Sequence, residues 1–520
     1  MFQFFNQVLI LGKAEADLSI ARKVYDLIYE LYNISPGILL SVLPQLEFKL
    51  KSTEESERMG SVSLLARMFS ERGSNLATTH RPLWSAFLGR YNDISVAIRI
   101  KCVQYTMHFL LNHPELQDNI VETLKARQHD NEENVRYEVV MAIVATAKKD
   151  FDIVAKSEQL LNFVKERTLD KKFKIRKEAM TGLAMIYKKH LSDPNNTHEA
   201  TKNAITWMKD KILHGYYMSG IEDRLLVERL LNMHLVPFNL ESSERMKKLL
   251  MLFVTVDENA GKAFIEIQKH QLHVRRAMAE LLQLYRQPKN EKRDRDIQIK
   301  VHGLSKFLPE PMKAQEFLKK MSIQLGTDNV LLTSFEKVVD PDVSCKECQL
   351  HVNQILKKMG SPIMTNLYYG TVKQILERVS SVMIDREAIQ HLVGYVKEAL
   401  QHGDILNELS LEPGLAGERG LRLLFVLSFI FPSHFLYQDI IKQLLSLLSV
   451  EGEHVGPLVL SALTYIGRKV PIGTAHPELL DHLVPICKTF IKSGTPKQAK
   501  HAVKCLHMNT TDTQVFRINN

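Results

Sequence analysis

Asp130-Asn-Glu-Glu-Asn-Val135-Arg136 and Asp170-Lys-Lys-Phe-Lys-Ile175-Arg176 share one pattern: an aspartate, four residues, a β-branched aliphatic, then an arginine. The same pattern stands at Asp93–Ile98–Arg99, and a degenerate copy at Ser52–Glu57–Arg58. The anchors recur every 37 to 41 residues. Self-similarity at such a period is the signature of a repeat architecture. The flanks agree. Before successive anchors stand Val42, Leu43 and Leu46; Leu83, Trp84 and Phe87; Ile120, Val121 and Leu124; then Leu160, Leu161 and Val164. After each arginine a second apolar stripe follows, as in Val139, Val140, Ile143 and Val144. Both stripes have the spacing of one helix face, so each unit reads as helix, turn, helix.

A lone helical hairpin cannot bury both stripes, whereas stacked hairpins share a continuous core. The expected fold is therefore all-α, a HEAT-repeat α-solenoid of stacked antiparallel helix pairs. The turn Asp or Ser is placed to accept N–H groups at the start of the second helix, where four donors lack partners. The arginine sits in that helix's first turn, where the helix dipole disfavours a cation. A carboxylate in the turn of an adjacent unit would compensate it. Asp93, Arg99, Asp130, Arg136, Asp170 and Arg176 are thus expected to form a structural ladder.

Composition supports the same class. The chain has 520 residues, 45% hydrophobic and 24% charged, too apolar for a disordered chain. A single core seldom grows past about 250–300 residues, so this length needs several domains or an array. Five scattered cysteines make no disulfide framework, which favours a reducing compartment. The opening MFQFFNQVLILG lacks a basic n-region and is too short to span a bilayer. No membrane association is expected.

The regular repeats are expected over 1–190. Irregular repeats follow over 191–300, with a Ser192–Thr197 loop, a long protruding helical insertion over Asp257–Tyr285 and a charged connector at Gln287–Asp296. Further irregular helical repeats span 301–410. After a Gly-rich break at Leu411–Gly420, HEAT-like repeats resume over 411–508, and 509–520 form a polar tail.

Several strings resemble the cohesin regulators named for precocious dissociation of sisters, the Pds family. They are Phe4–Leu9, Leu39–Ser52, Arg81–Trp84 with Phe87–Arg90, Glu166–Lys172, Arg176–Met180, Leu427–Phe429 and Gly494–Lys500. The resemblance runs from about Phe4 to His507. It implies a nuclear, chromatin-associated protein that regulates sister chromatid cohesion by binding the kleisin subunit of cohesin. Cohesin release and protection factors are the other implied partners. Family members are much longer, so Met1 and Asn520 read as fragment ends.

Charge is unevenly placed. Lys165 to Lys189 holds nine basic residues against Glu166, Asp170 and Glu178. A field of that sign attracts polyanions. Lys171, Lys172, Lys174 and Lys177 are the candidate polyanion-binding residues, chosen on charge density alone. The family resemblance implies an inositol polyphosphate as ligand; DNA and acidic peptide compete, and no cofactor is required. Arg275 and Arg276, with Lys262, Lys269 and His270, form a second basic face and a candidate partner-binding site. Cys345-Lys-Glu-Cys348 with His351 lacks a second ligand pair, so no metal site is expected. Trp84, Trp207 and the Met246, Met251, Met278 and Met321 string are expected to be packing residues.

No phosphate loop, nucleophile elbow, zinc-protease motif or dinucleotide fingerprint is present, and no catalytic residue is assigned. The expected function is a non-enzymatic scaffold. Its rivals are a transport receptor or phosphatase-type scaffold on the same repeat, and a solenoid that binds DNA directly.

Overall fold

The computed structural model describes residues 18–35, 37, 40–190, 199–218, 220–363 and 366–510. The Phe4–Leu9 string, the Ser192–Thr197 loop and the tail from 511 lie outside them. Among the described residues the chain is helical, with no β-strand. It divides into two compact units, Met1–Lys189 with His198–Ile205, and His190–Thr197 with Thr206–Asn520.

The first unit is a regular stack. Its helix pairs are α1 (Leu43–Leu50) and α2 (Glu55–Ser70), α3 (Arg81–Gly89) and α4 (Val96–Asn112), α5 (Gln117–Arg127) and α6 (Glu133–Lys149), α7 (Glu158–Arg167) and α8 (Phe173–His190). The apolar triads of α1, α3, α5 and α7 are all buried, and so are the stripes of the following helices except Met107 of α4, which is half-buried. Burying one such side chain contributes roughly 1.5–3 kcal/mol. Trp84 is packing, as expected: its ring lies 4.9 Å from Phe69, 5.6 Å from Phe87 and 5.5 Å from Phe109. Second helices stack on second helices, α2 on α4 and α4 on α6. Gly182 lets α8 approach α6 closely, since a Cβ there would lie 2.4 Å from Val144 Cγ2.

The second unit is built around one long helix. Its helices include α9 (Ile221–Leu230), α10 (Ser242–Thr255), α11 (Glu258–Tyr285), α12 (Glu291–Ser305), α13 (Cys345–Lys358), α14 (Leu367–Val379), α15 (Arg386–Leu400) and α16 (Pro413–Ile430). It ends in α17 (Val455–Lys469), α18 (Leu480–Ser493) and α19 (Pro496–Asn509). The helix expected over 257–285 is present, capped by Asp257, whose carboxylate accepts the Ala260 N–H at 2.8 Å. It does not protrude. Residues from Ala260 to Leu282 are buried along it, and α12, α14 and α16 pack against it. Met246, Met251, Met278 and Met321 are buried, as their spacing implied.

Two loop expectations are corrected. The charged run Gln287–Asp296 is a connector only to Asn290; the rest opens α12. Asn290 accepts the Arg293 N–H at 2.8 Å, and Glu291 and Asp294 suit the positive end of the helix dipole. The Gly-rich run Leu411–Gly420 is no break, because from Pro413 it is α16. Pro413 fits a first helical turn, where its missing N–H costs nothing. Two of its glycines face α15: a Cβ on Gly417 would lie 2.8 Å from Leu400, and one on Gly420 2.9 Å from Val396. They serve close helix packing.

Candidate functional site

The arginine–aspartate ladder is present with bidentate geometry. Arg58 donates to Asp93 at 2.9 and 3.0 Å, Arg99 to Asp130 at 2.8 and 2.9 Å, and Arg136 to Asp170 at 2.8 and 3.0 Å. Each arginine thus pairs with the aspartate of the next repeat. Its remaining Nη1 group binds carbonyls of its own turn, as in Arg136 to Asp130 and Asn131 at 2.8 and 3.2 Å. Arg176 does the same with Asp170 and Lys171. The aspartates also accept the N–H two residues on: Ser95 at 2.8 Å, Glu132 at 3.0 Å and Lys172 at 2.9 Å. In the degenerate copy Ser52 takes that turn role, accepting from the Glu54 N–H at 3.1 Å.

Sequence reading missed one member. Arg90, Arg127 and Arg167 each donate to the aspartate three residues on, at 2.9, 2.7 and 3.0 Å. Their Arg-x-x-Asp spacing is as periodic as the anchor. Each aspartate is buried, and burial works to raise its pKa. The hydrogen bonds and charges of the two arginines and the turn N–H outweigh that and hold it below the usual carboxylate value. These carboxylates are fully committed to structure.

Lys171, Lys172, Lys174 and Lys177 are all exposed, on the turn and first helical turn of α8. Lys172 pairs with Glu133 at 2.7 Å, and Lys174 lies 4.1 Å from the centre of the Tyr137 ring. Lys177 reaches Glu178 at 3.9 Å. Beside them a cleft of about 490 Å³ is lined by His129, Asn131, Glu133, Leu169, Lys171 and Lys172 among others.

The second basic face is corrected. Arg276 is exposed, but Arg275 is buried. Arg275 Nε donates to the Val379 carbonyl at 2.7 Å and Nη2 to that of Ser380 at 3.4 Å, closing the end of α14. Helical spacing turns successive residues about 100° apart, so adjacent arginines need not share a face. Close by, Arg378 donates to buried Glu228 at 3.1 and 2.8 Å, to the Phe307 carbonyl at 2.6 Å and to His270 Nδ1 at 2.7 Å. Burial, then the Arg378 charge, pushes the His270 pKa down to about 4, so the ring is a neutral acceptor. On the outer side the partners are reversed, with Arg229 donating to Glu377 at 2.9 Å.

Cys345 and Cys348 are buried. The Cys348 thiol donates to the Val338 carbonyl at 3.7 Å, and burial pushes its pKa up to about 11. Among the described residues no group of three His, Cys, Asp or Glu side chains is placed to hold a metal ion.

Sequence reading did not find the groove beside the Arg229–Glu377 pair. It has a volume of about 320 Å³ and lies between α9, α13 and α14. Leu225, Met233, Phe238, Val352, Leu356, Tyr369 and Leu376 supply its apolar wall, and Arg229, Asn353, Lys373 and Glu377 its rim. One edge is the π-helical turn Leu231–Leu235, a local geometry common at functional sites. Gln349 Nε2 donates to the Phe238 carbonyl at 3.2 Å and fixes that corner. Residues from 225 to 382 converge here, so no local period marks them. An apolar floor with a polar rim suits an extended peptide.

A family model described as sister chromatid cohesion protein PDS5 matches residues 1–519. The chain is 44% identical over 519 residues to sister chromatid cohesion protein PDS5 homolog B-B of Xenopus laevis, covering 99% of this chain and 35% of that protein. It is 43% identical over 514 residues to PDS5 homolog A of Homo sapiens, covering 98% and 38%. It therefore spans about a third of the length of the curated relatives it matches. Among solved structures, one described as the Pds5-Scc1 complex shares the fold. Its TM-score is 0.71 at 16% identity, over 85% of this chain and 65% of that one.

Proposed function

This chain belongs to the PDS5 family of sister chromatid cohesion proteins, and from that premise we propose that it is a non-enzymatic scaffold regulating cohesion by holding the kleisin subunit of cohesin. It works in the nucleus, on chromatin through cohesin, and offers further surface to cohesin release and protection factors. The observation that carries this reading is the family match along the whole chain. The groove between α9, α13 and α14 is the seat we assign to the kleisin segment, because its wall is apolar and only part-covered while the rim pair Arg229–Glu377 is already satisfied. The similar chain of known structure was solved in complex with Scc1, which supports a peptide-holding role.

Isothermal titration with overlapping kleisin peptides tests the assignment. Leu356→Glu and Tyr369→Glu are expected to weaken the bound peptide at least tenfold. Equal binding by parent and both variants would remove the groove from the reading. Failure of the parent to bind any kleisin peptide would remove the reading itself.

A second proposal concerns the exposed ammonium groups of Lys171, Lys174 and Lys177, which favour an inositol polyphosphate. Reversing the three charges to Glu is expected to abolish binding of inositol hexakisphosphate, and unaltered binding would dismiss the ligand.

A further inference from the structure

The C-terminal hairpin of the second unit carries a basic surface of a different kind. From His482 to Thr511 the sequence contains Lys488, Lys492, Lys497, Lys500 and Lys504 and no Asp or Glu. Helix α19 begins with a full capping box: Thr495 accepts the Gln498 N–H and the Gln498 side chain accepts the Thr495 N–H. Its inner face is fixed by buried Ala502, Cys505 and Asn509, the last donating to the Leu463 and Cys505 carbonyls at 3.1 and 2.9 Å. At 3.6 residues per turn, Lys497, Lys500 and Lys504 then fall on one stripe opposite that face. All three are exposed, and among the described residues none lies within ion-pair distance of a carboxylate.

The contrast with the Lys171 surface is direct. There Lys172 is paired with Glu133, Lys174 covers Tyr137 and acids line the cleft. On α19 nothing of opposite sign intervenes. His501, held by Ser461 at 2.8 Å, reports the field: burial first, then the charges of Lys504, Lys497 and Lys500, push its pKa down. The surface is a convex helix face, with no fork-shaped guanidinium for bidentate recognition and no aromatic ring on the stripe for stacking. Strongly hydrated point charges at even spacing suit contacts that position a phosphate backbone without reading bases. Lys497 to Lys504 spans about 10 Å of helix axis, the rise of about three phosphates of one DNA strand.

We propose that the Lys497–Lys500–Lys504 stripe of α19 is a sequence-independent contact site for the phosphate backbone of duplex DNA. An acidic protein segment fits less well, because a peptide needs apolar anchors and, among the described residues of α19, only Val503 is an exposed large apolar side chain. The proposal is independent of the kleisin groove and of the Lys171 surface.

The test is fluorescence anisotropy of the whole chain with a labelled random-sequence duplex across a salt series. Three phosphate contacts contribute a slope of about 2.7 in log K against log salt. Lys497→Gln/Lys500→Gln/Lys504→Gln is expected to lower the parent slope by about that amount. A fourfold rise in salt should then weaken the parent about 40-fold more than the variant. A control triple elsewhere on the same unit, Lys289→Gln/Lys319→Gln/Lys320→Gln at exposed lysines, should leave the slope as it is. Because the three α19 lysines are exposed, the variant should melt as the parent does. The proposal is overturned if the parent fails to bind the duplex, or if the α19 variant keeps the parent slope. It is also overturned if both triple variants lose slope equally, or if poly-glutamate is held more tightly than DNA and released by the α19 changes.

Discussion

The two units bury the same chemistry at different reach. In the first, every guanidinium–carboxylate rung joins neighbouring repeats, Arg136 to Asp170 being typical. In the second, Arg378 crosses to Glu228, Arg275 to the Val379 carbonyl and Arg245 to the Met383 carbonyl, each over a hundred residues or more. A nearest-neighbour stack can lose one interface and keep the rest. A unit cross-tied by distant segments has no such independence, so one broken tie loosens several helices together.

The sharpest way to break that contrast is Arg378→Met, which leaves Glu228 buried without its partner. A loss of about 4–5 kcal/mol is expected by urea unfolding, with hydrogen exchange rising in α9, α11 and α14 together. Adding Glu228→Met should recover most of it, since an apolar pair replaces a costly buried charge. Asp130→Ala should cost less, about 3 kcal/mol, because Arg99 and Arg127 lie nearer to solvent. Its exchange increase should stay within the turns of α3 to α6. A lesion that spreads across the whole first unit would contradict the nearest-neighbour picture.

Acid should reach the buried histidines of the second unit before the aspartates of the ladder. His270 and His434 have pKa values pushed down to about 4 from an ordinary 6.5, chiefly by burial. Between those values the unfolded chain binds more protons than the folded one. These two rings therefore cost the second unit stability as the pH falls from 6.5 towards 4. The ladder aspartates are shifted below 3.8, so their contribution persists until the pH drops under that value. Exchange around His270 and His434 should rise at about pH 5, and His270→Asn with His434→Phe should flatten that response. The smallest effect is expected at Lys172→Gln. Its pair with Glu133 is solvent-exposed, so the melting curve should overlay that of the parent.

Much of the fold was legible because its reasons are local. Asp93, Asp130 and Asp170 carry turn chemistry and pairing in a fixed register, so a written pattern returns a three-dimensional ladder. The Arg90, Arg127 and Arg167 brace is equally periodic, but it stands three residues before each aspartate, outside the anchor that the aspartate and the following arginine define. Arg275 shows the opposite limit. Its neighbour Arg276 is a surface cation, and only the packing of α11 against the end of α14 turns Arg275 inward. Gly417 and Gly420 of α16 read as punctuation in the sequence, but their use is the closeness of Leu400 and Val396.

Sequence alone determined the all-α repeat class, the ladder, the apolar faces and the family, since each is written within a period or a short string. Tertiary structure alone decided which cations are free, where the groove lies and which buried charges tie distant helices. Those depend on side chains brought together from residues 225 to 382, and no local rule encodes a contact between segments that far apart.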